Sequence, residues 1–152
     1  MRYLTQKPEW FRRNIMIVDS KLEFSDAQAL TATAVSTNVI PVSGNIGPGE
    51  PMAVTVTVNV AADYAAGNET YQFVLQTATD AAFTSPVNLI TTEAFIGSAL
   101  TKGKNFMVPI GSNNLGYLRM NYVLAGTTPT ISVDAYLQPQ SMIDNKADLP
   151  IT

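Results

Sequence analysis

The stretch Val54-Thr55-Val56-Thr57-Val58-Asn59-Val60 decides how the rest of the chain is read. Valines at every second position, separated by Thr and Asn, form one apolar and one polar row, because successive side chains of an extended strand point to opposite faces. A helix would scatter the same valines around its axis, and β-branched residues lose side-chain freedom there. The segment is therefore a half-buried strand with Val54, Val56 and Val58 turned toward a core.

Working outward, the same alternation recurs at Tyr71, Phe73 and Leu75, at Phe106, Val108 and Ile110, from Tyr117 to Leu124, and at Ile131, Val133, Ala135 and Leu137. Weaker segments at Ile15 to Phe24, Val39 to Val42 and Val87 to Phe95 bring the expected number of strands to about eight. Turn-forming residues separate them: Gly44-Asn45, Gly47-Pro48-Gly49, Gly67-Asn68, Gly103, Gly111-Ser112-Asn113-Asn114, and Gly126 with Pro129. Asp26 to Val35 reads two ways, as a short helix through its Ala and Leu content or as an extended run through its Thr-Ala alternation. With no helices to carry parallel crossovers, the strands must pair antiparallel. The expected fold is all-β, an antiparallel sandwich of jelly-roll-like form with extended N- and C-terminal tails, and an immunoglobulin-like sandwich is the alternative.

Three regions follow from composition. Residues 1–14 hold Arg2, Lys7, Arg12 and Arg13 interleaved with Tyr3, Trp10 and Phe11, a basic and aromatic arm. Residues 15–138 carry the β pattern, and 139–152 lose all alternation and form a tail. Tyr3, Trp10, Phe11, Arg12 and Arg13 are the candidate interface residues, because aromatic and Arg side chains dominate interface energetics and a short arm cannot bury them by itself.

The chain has no His and no Cys, which removes the commonest general base, the thiolate nucleophile and the imidazole and thiolate metal ligands. A Ser nucleophile would need Lys or a carboxylate as its base, and Lys7, Lys21, Lys102, Lys104 and Lys146 sit in polar or terminal contexts. Acids such as Glu50, Asp63 and Asp80 fall at turn positions, where exposure to solvent explains them. Asp19, Glu23 and Asp26 lack the dense spacing and central Gly of a calcium loop, so they read as solvated turn residues. Gly44, Gly47 and Gly49 are followed by no Lys-Ser or Lys-Thr pair, so no phosphate cradle is expected. Asn68-Glu69-Thr70 fits a glycosylation sequon, but no signal peptide is evident and it is discounted. The expectation is a protein that is not an enzyme, with no catalytic residue, metal or cofactor.

A net charge of −3 argues against a nucleic-acid groove, which requires a basic stripe, and no run of 18 apolar residues is present to span a membrane. Charged residues make up only 14% of the chain, against roughly 25% in a typical soluble domain, so much of the surface is uncharged and suited to packing on neighbours. Tyr64, Tyr71, Tyr117, Tyr122 and Tyr136, the residues that would platform a sugar, fall mostly on strand positions where burial is expected.

The run Met16-Ile17-Val18-Asp19-Ser20-Lys21-Leu22-Glu23-Phe24-Ser25-Asp26-Ala27-Gln28-Ala29-Leu30, followed by Ser36-Thr37-Asn38-Val39-Ile40, resembles the opening of capsid cement (decoration) proteins of tailed bacteriophages, of the Bordetella-phage type. Gly47-Pro48-Gly49-Glu50-Pro51, Leu75-Gln76-Thr77, Asp80-Ala81-Ala82-Phe83-Thr84-Ser85-Pro86 and Gly116-Tyr117-Leu118-Arg119 are similar to later landmarks of that family, in the same order. The resemblance covers roughly residues 16 to 138. It implies a jelly-roll-like fold, no enzymatic activity, synthesis in the host bacterial cytoplasm and a place in the virion on the outer surface of the capsid. There the protein would stabilise contacts between major capsid protein subunits; separately, an uncharged β surface with unpaired edges leads to the expectation that copies pair as a homodimer on the shell. The other function left open is a virion-displayed carbohydrate- or receptor-binding sandwich. Family members begin near Met16, so the role of the arm is not inherited.

Overall fold

The computed structural model describes residues 19–42, 51–110 and 115–140. Strand β4 (Met52–Val60) carries the alternation, and Val54, Val56 and Val58 are buried in the core. β10 (Ile131–Pro139) pairs with it on one side and β8 (Asn105–Pro109) on the other, both antiparallel, so that Val56 lies opposite Ala135 and Phe106. β1 (Glu23–Leu30) closes this sheet in the order β1-β10-β4-β8. The second sheet is built on β5 (Thr70–Ala78) and β9 (Tyr117–Ala125), in register from Thr70↔Ala125 to Ala78↔Tyr117 without a shift. β2 (Ala34–Val35) and β3 (Ile40–Pro41) both pair with β9, and β6 (Val87–Thr91) and β7 (Phe95–Ile96) both pair with β5.

The ten strands become eight when β2 with β3, and β6 with β7, are each taken as one interrupted strand. Numbered afresh along the chain, those eight lie in the orders 1-8-3-6 and 2-7-4-5. That interleaving is a jelly roll, as expected. The inner faces supply the core, Val54, Val56, Val58, Val108, Val133 and Leu137 against Tyr71, Phe73, Leu75, Leu118, Met120 and Tyr122. Burying each aliphatic side chain stabilises by about 1.5–3 kcal/mol relative to exposure. Phe73 sits edge-on to Phe106 and Tyr122, with ring centroids at 4.7 and 5.9 Å.

Where an edge strand is interrupted, a hydroxyl completes the backbone pairing. Between β2 and β3, Ser36 donates its N–H to Met120 O (2.8 Å) and accepts from Met120 N at Oγ (3.1 Å). Just past β6, Thr92 repeats the arrangement on Phe73, donating to its carbonyl at 3.0 Å and accepting its N–H at 3.1 Å. Thr33 Oγ1 both accepts from Leu124 N and donates to Leu124 O. Thr77 Oγ1 accepts from Leu115 N and donates to Tyr117 O. Part of the abundant Ser and Thr thus replaces ladder partners that would otherwise be missing.

Of the two readings of Asp26 to Val35 the extended one holds: the segment is the end of β1, a turn and β2. The helical reading arose because β1 is bulged, with register shifts on both sides of Ser25 and Ala27 at φ +43°, which erases the period of two between the buried Phe24 and Leu30. Of the strand expected over Ile15 to Phe24, residues 15–18 lie outside the described part, Ser20–Leu22 form a 3-10 turn, and β1 begins at Glu23. Val87 to Phe95 is likewise not continuous but split around Thr92. The turns at Gly44 to Gly49 and Gly111 to Asn114, like the arm and most of the tail, also lie outside the described residues.

The two ends of the sandwich differ. At one, the connections 61–69, 97–104 and 126–130 meet. Gly97 is pressed against Asp63 O and Tyr64 Cβ, and a Cβ on Gly126 (φ +104°) would stand 2.6 Å from Asn68 O and 2.7 Å from Glu69 Cα. The Glu69 carboxylate, wholly buried, accepts from the N–H groups of Ala66 and Asn68. Tyr71 shares its hydroxyl proton between Asp63 O (2.8 Å) and Thr130 O (3.1 Å). At the other end β4 and β9 begin and β3, β5, β8 and β10 finish, so segments 1–18, 43–50, 111–114 and 141–152 all join the sandwich there.

Candidate interaction surface

Tyr3, Trp10, Phe11, Arg12 and Arg13, the interface candidates of the sequence, lie outside the described residues. Asp19 is occupied in capping, its Oδ1 accepting from Lys21 N at the 3-10 turn Ser20–Leu22. Of the tyrosines, Tyr71 and Tyr122 are core, Tyr117 and Tyr136 half-buried, and Tyr64 exposed, so no shared aromatic platform forms from them.

A clamp of polar groups ties the bulged β1 to the opposite sheet. Tyr122 Oη and Ser25 Oγ are 2.7 Å apart inside the core, and Ser25 donates in turn to Gln28 Oε1, which also accepts from Thr37 N. Burial holds the Tyr122 phenol in its neutral form, with its pKa pushed well above the ordinary value of 10.

The outer face of the β5–β9 sheet carries a second polar cluster, nearer the end where the termini join. Gln76 (β5), Asn88 (β6) and Arg119 (β9) are side by side. Gln76 Nε2 donates to Asn88 Oδ1 (2.9 Å), and Gln76 Oε1 accepts from Arg119 Nε (2.8 Å). The guanidinium carbon of Arg119 lies 4.2 Å from the centre of the Phe83 ring. Phe83 reaches that place from the β5–β6 turn with φ at +53°, a left-handed conformation that costs about 1–3 kcal/mol in a bulky residue. Asp80 holds the turn: its carbonyl accepts from Phe83 N, and its Oδ1 accepts from Thr84 N and Oγ1. Burial lowers the Arg119 pKa, an effect too small to discharge a guanidinium. Among the described residues its partners are the Phe83 ring and the Gln76 amide, with no carboxylate.

Residue-by-residue reading of the sequence passed over this cluster, because no two of its members are neighbours in the chain. Gln76, Phe83 and Arg119 nonetheless lie in three stretches that carry the family resemblance, Leu75-Gln76-Thr77, Asp80 to Pro86 and Gly116 to Arg119, with Asn88 outside them. Their meeting on one face is the signal that was available.

The interleaved sheets define the chain as a β-sandwich protein of the jelly-roll class. It belongs to the Bbp16 family, whose model matches residues 24–137, and is therefore a phage-associated protein. No curated protein matches the chain.

Proposed function

We propose that the protein is a capsid cement or decoration protein, a non-enzymatic component that binds the outer surface of a bacteriophage head and stabilises contacts between major capsid subunits. Membership of the Bbp16 family over most of the chain carries this reading. Its surfaces support it: interrupted or bulged edge strands discourage strand-by-strand aggregation, and amide-rich outer faces suit broad, shape-matched contacts. Many modest contacts repeated over a shell add up to strong retention.

Copies of the protein pair on the shell as a homodimer in this proposal. β8 is the edge open to pairing, being in unshifted register with β4 and presenting the exposed Met107. The basic arm, with Trp10 and Phe11 as anchors and Arg12 and Arg13 as cations, adds a contact to a neighbouring capsid subunit or a second copy. The test is protein mass spectrometry of purified particles. A copy number near that of the major capsid protein supports cement, whereas a few dozen copies or fewer would indicate a receptor binder. Truncation of residues 1–14 should lower occupancy on heads as salt rises, and Trp10→Ala alone should weaken binding.

A further inference from the structure

We infer that the outer face of the β5–β9 sheet around Arg119 receives a carboxylate from a neighbouring shell subunit, which makes Arg119 a specific docking residue. The inference rests on the cement reading and adds to it the place and the chemistry of one contact.

Three observations converge. The guanidinium is fixed before any partner arrives, stacked on Phe83 and bonded through Nε to Gln76, which Asn88 holds in turn. Fixing a long side chain in advance removes much of the ordering cost of binding, about 0.5–1.5 kcal/mol per such side chain. Next, Nε faces the protein, so the bonds that fix the group do not use its terminal amino groups, whose planar fork matches a carboxylate. Last, the surroundings are drier than an ordinary surface. Val74 and Ala78, flanking Gln76 on this face, are buried like Gln76 itself, while Val35, opposite Asn121 on the same face, stays exposed. A partly buried cation with an exposed apolar side chain on the same face gains from a partner that brings the opposite charge and excludes the remaining water. A core that only needed the β5–β6 turn pinned would not require a cation there, since an aliphatic side chain under Phe83 does the same without the desolvation cost.

The experiment adds purified protein to heads assembled without it and measures bound copies against concentration, at low and raised salt. Wild type is compared with Arg119→Gln, Arg119→Lys and Phe83→Leu, each checked for folding by urea unfolding. Arg119→Gln should weaken binding about tenfold or more and flatten its salt dependence. Arg119→Lys should recover the salt dependence but only part of the affinity, and Phe83→Leu, which frees the guanidinium, should fall between. If wild type binds and Arg119→Gln binds equally well, the docking role is overturned while the cement reading stands. Salt-insensitive binding by wild type overturns it too. Should wild type fail to bind heads at all, the cement reading fails and this inference falls with it. Should Arg119→Gln not fold, the Lys and Leu variants decide: binding equal to wild type in both overturns the role.

Discussion

At the end of the sandwich where Glu69, Gly97 and Gly126 meet, three connections touch through backbone atoms, a buried carboxylate closes one turn, and a tyrosine hydroxyl ties two carbonyls together. At the opposite end the two termini and two loops leave the sheets, and Gly116 there has nothing within 4 Å of where its Cβ would stand. One end is built for rigidity, since its groups have no room to move and no alternative partners. The other, at Gly116, leaves space around the backbone. Local constraint is thus uneven along the long axis of this jelly roll, and substitutions should show it.

The sharpest contrast is a matched pair of glycines. Gly126→Ala places a methyl 2.6 Å from a carbonyl oxygen in a positive-φ position and should cost more than about 3 kcal/mol, read as a lower urea midpoint. Gly116→Ala, at φ +121° in open space, should cost about 1–3 kcal/mol, from backbone strain alone. Equal losses would break the comparison. Smaller but confined to the same end, Glu69→Gln should cost about 1–3 kcal/mol, because one of the two carboxylate oxygens that accept N–H bonds becomes an amide donor facing another donor. No such loss would mean that the turn relaxes and the end is less rigid than its contacts imply.

How much of this was legible in the sequence depends on whether the deciding contacts are local. The five long strands declare themselves by alternation, and Val54, Val56 and Val58 face the core as their spacing requires. The bulge in β1 hides that strand because a left-handed Ala27 leaves no trace in hydrophobicity. Thr33 and Leu124, or Ser36 and Met120, meet from distant parts of the chain, so no spacing rule links a hydroxyl to the ladder it completes. Thr55 alternates as an outward residue yet is 4% exposed, next to the buried Gln138 whose Nε2 donates to its hydroxyl. Glu69 looks like any turn acid until the fold folds around it, and Arg119 looks like any strand cation until Phe83 stacks on it.

Between the ends, the Tyr122–Ser25–Gln28 clamp gives a pH signature. Burial raises the Tyr122, Tyr71 and Tyr136 pKa values above the unfolded value near 10. A group raised in this way contributes its full stability below about pH 10 and loses it as pH climbs toward the folded value. With no His in the chain, side-chain titration should leave unfolding free energy nearly flat from about pH 6 to 9, then let it fall steeply above 10. Tyr122→Phe should cost about 1 kcal/mol at neutral pH, since Ser25 keeps its bond to Gln28, and should make the alkaline fall shallower. An unchanged alkaline slope would assign it to Tyr71 and the half-buried Tyr136 instead.

The smallest effect on stability is expected from removing residues 1–14. Every described core residue lies between Leu22 and Leu137, so the truncation removes none of the described core side chains. The arm precedes β1, whose first residue Glu23 lies opposite Tyr136, away from the end where Gly97 and Gly126 are packed. The truncated protein should therefore unfold within about 0.5 kcal/mol of the full chain, the range of surface changes away from packed features. Its occupancy on heads should fall all the same, because ordering an arm costs about 1–2 kcal/mol per residue in backbone entropy and only a partner's surface repays it. A loss of stability well beyond that range, with head binding intact, would show that Trp10 and Phe11 pack on their own sandwich. The distinction between a tightly packed end and an open one would then have to be redrawn.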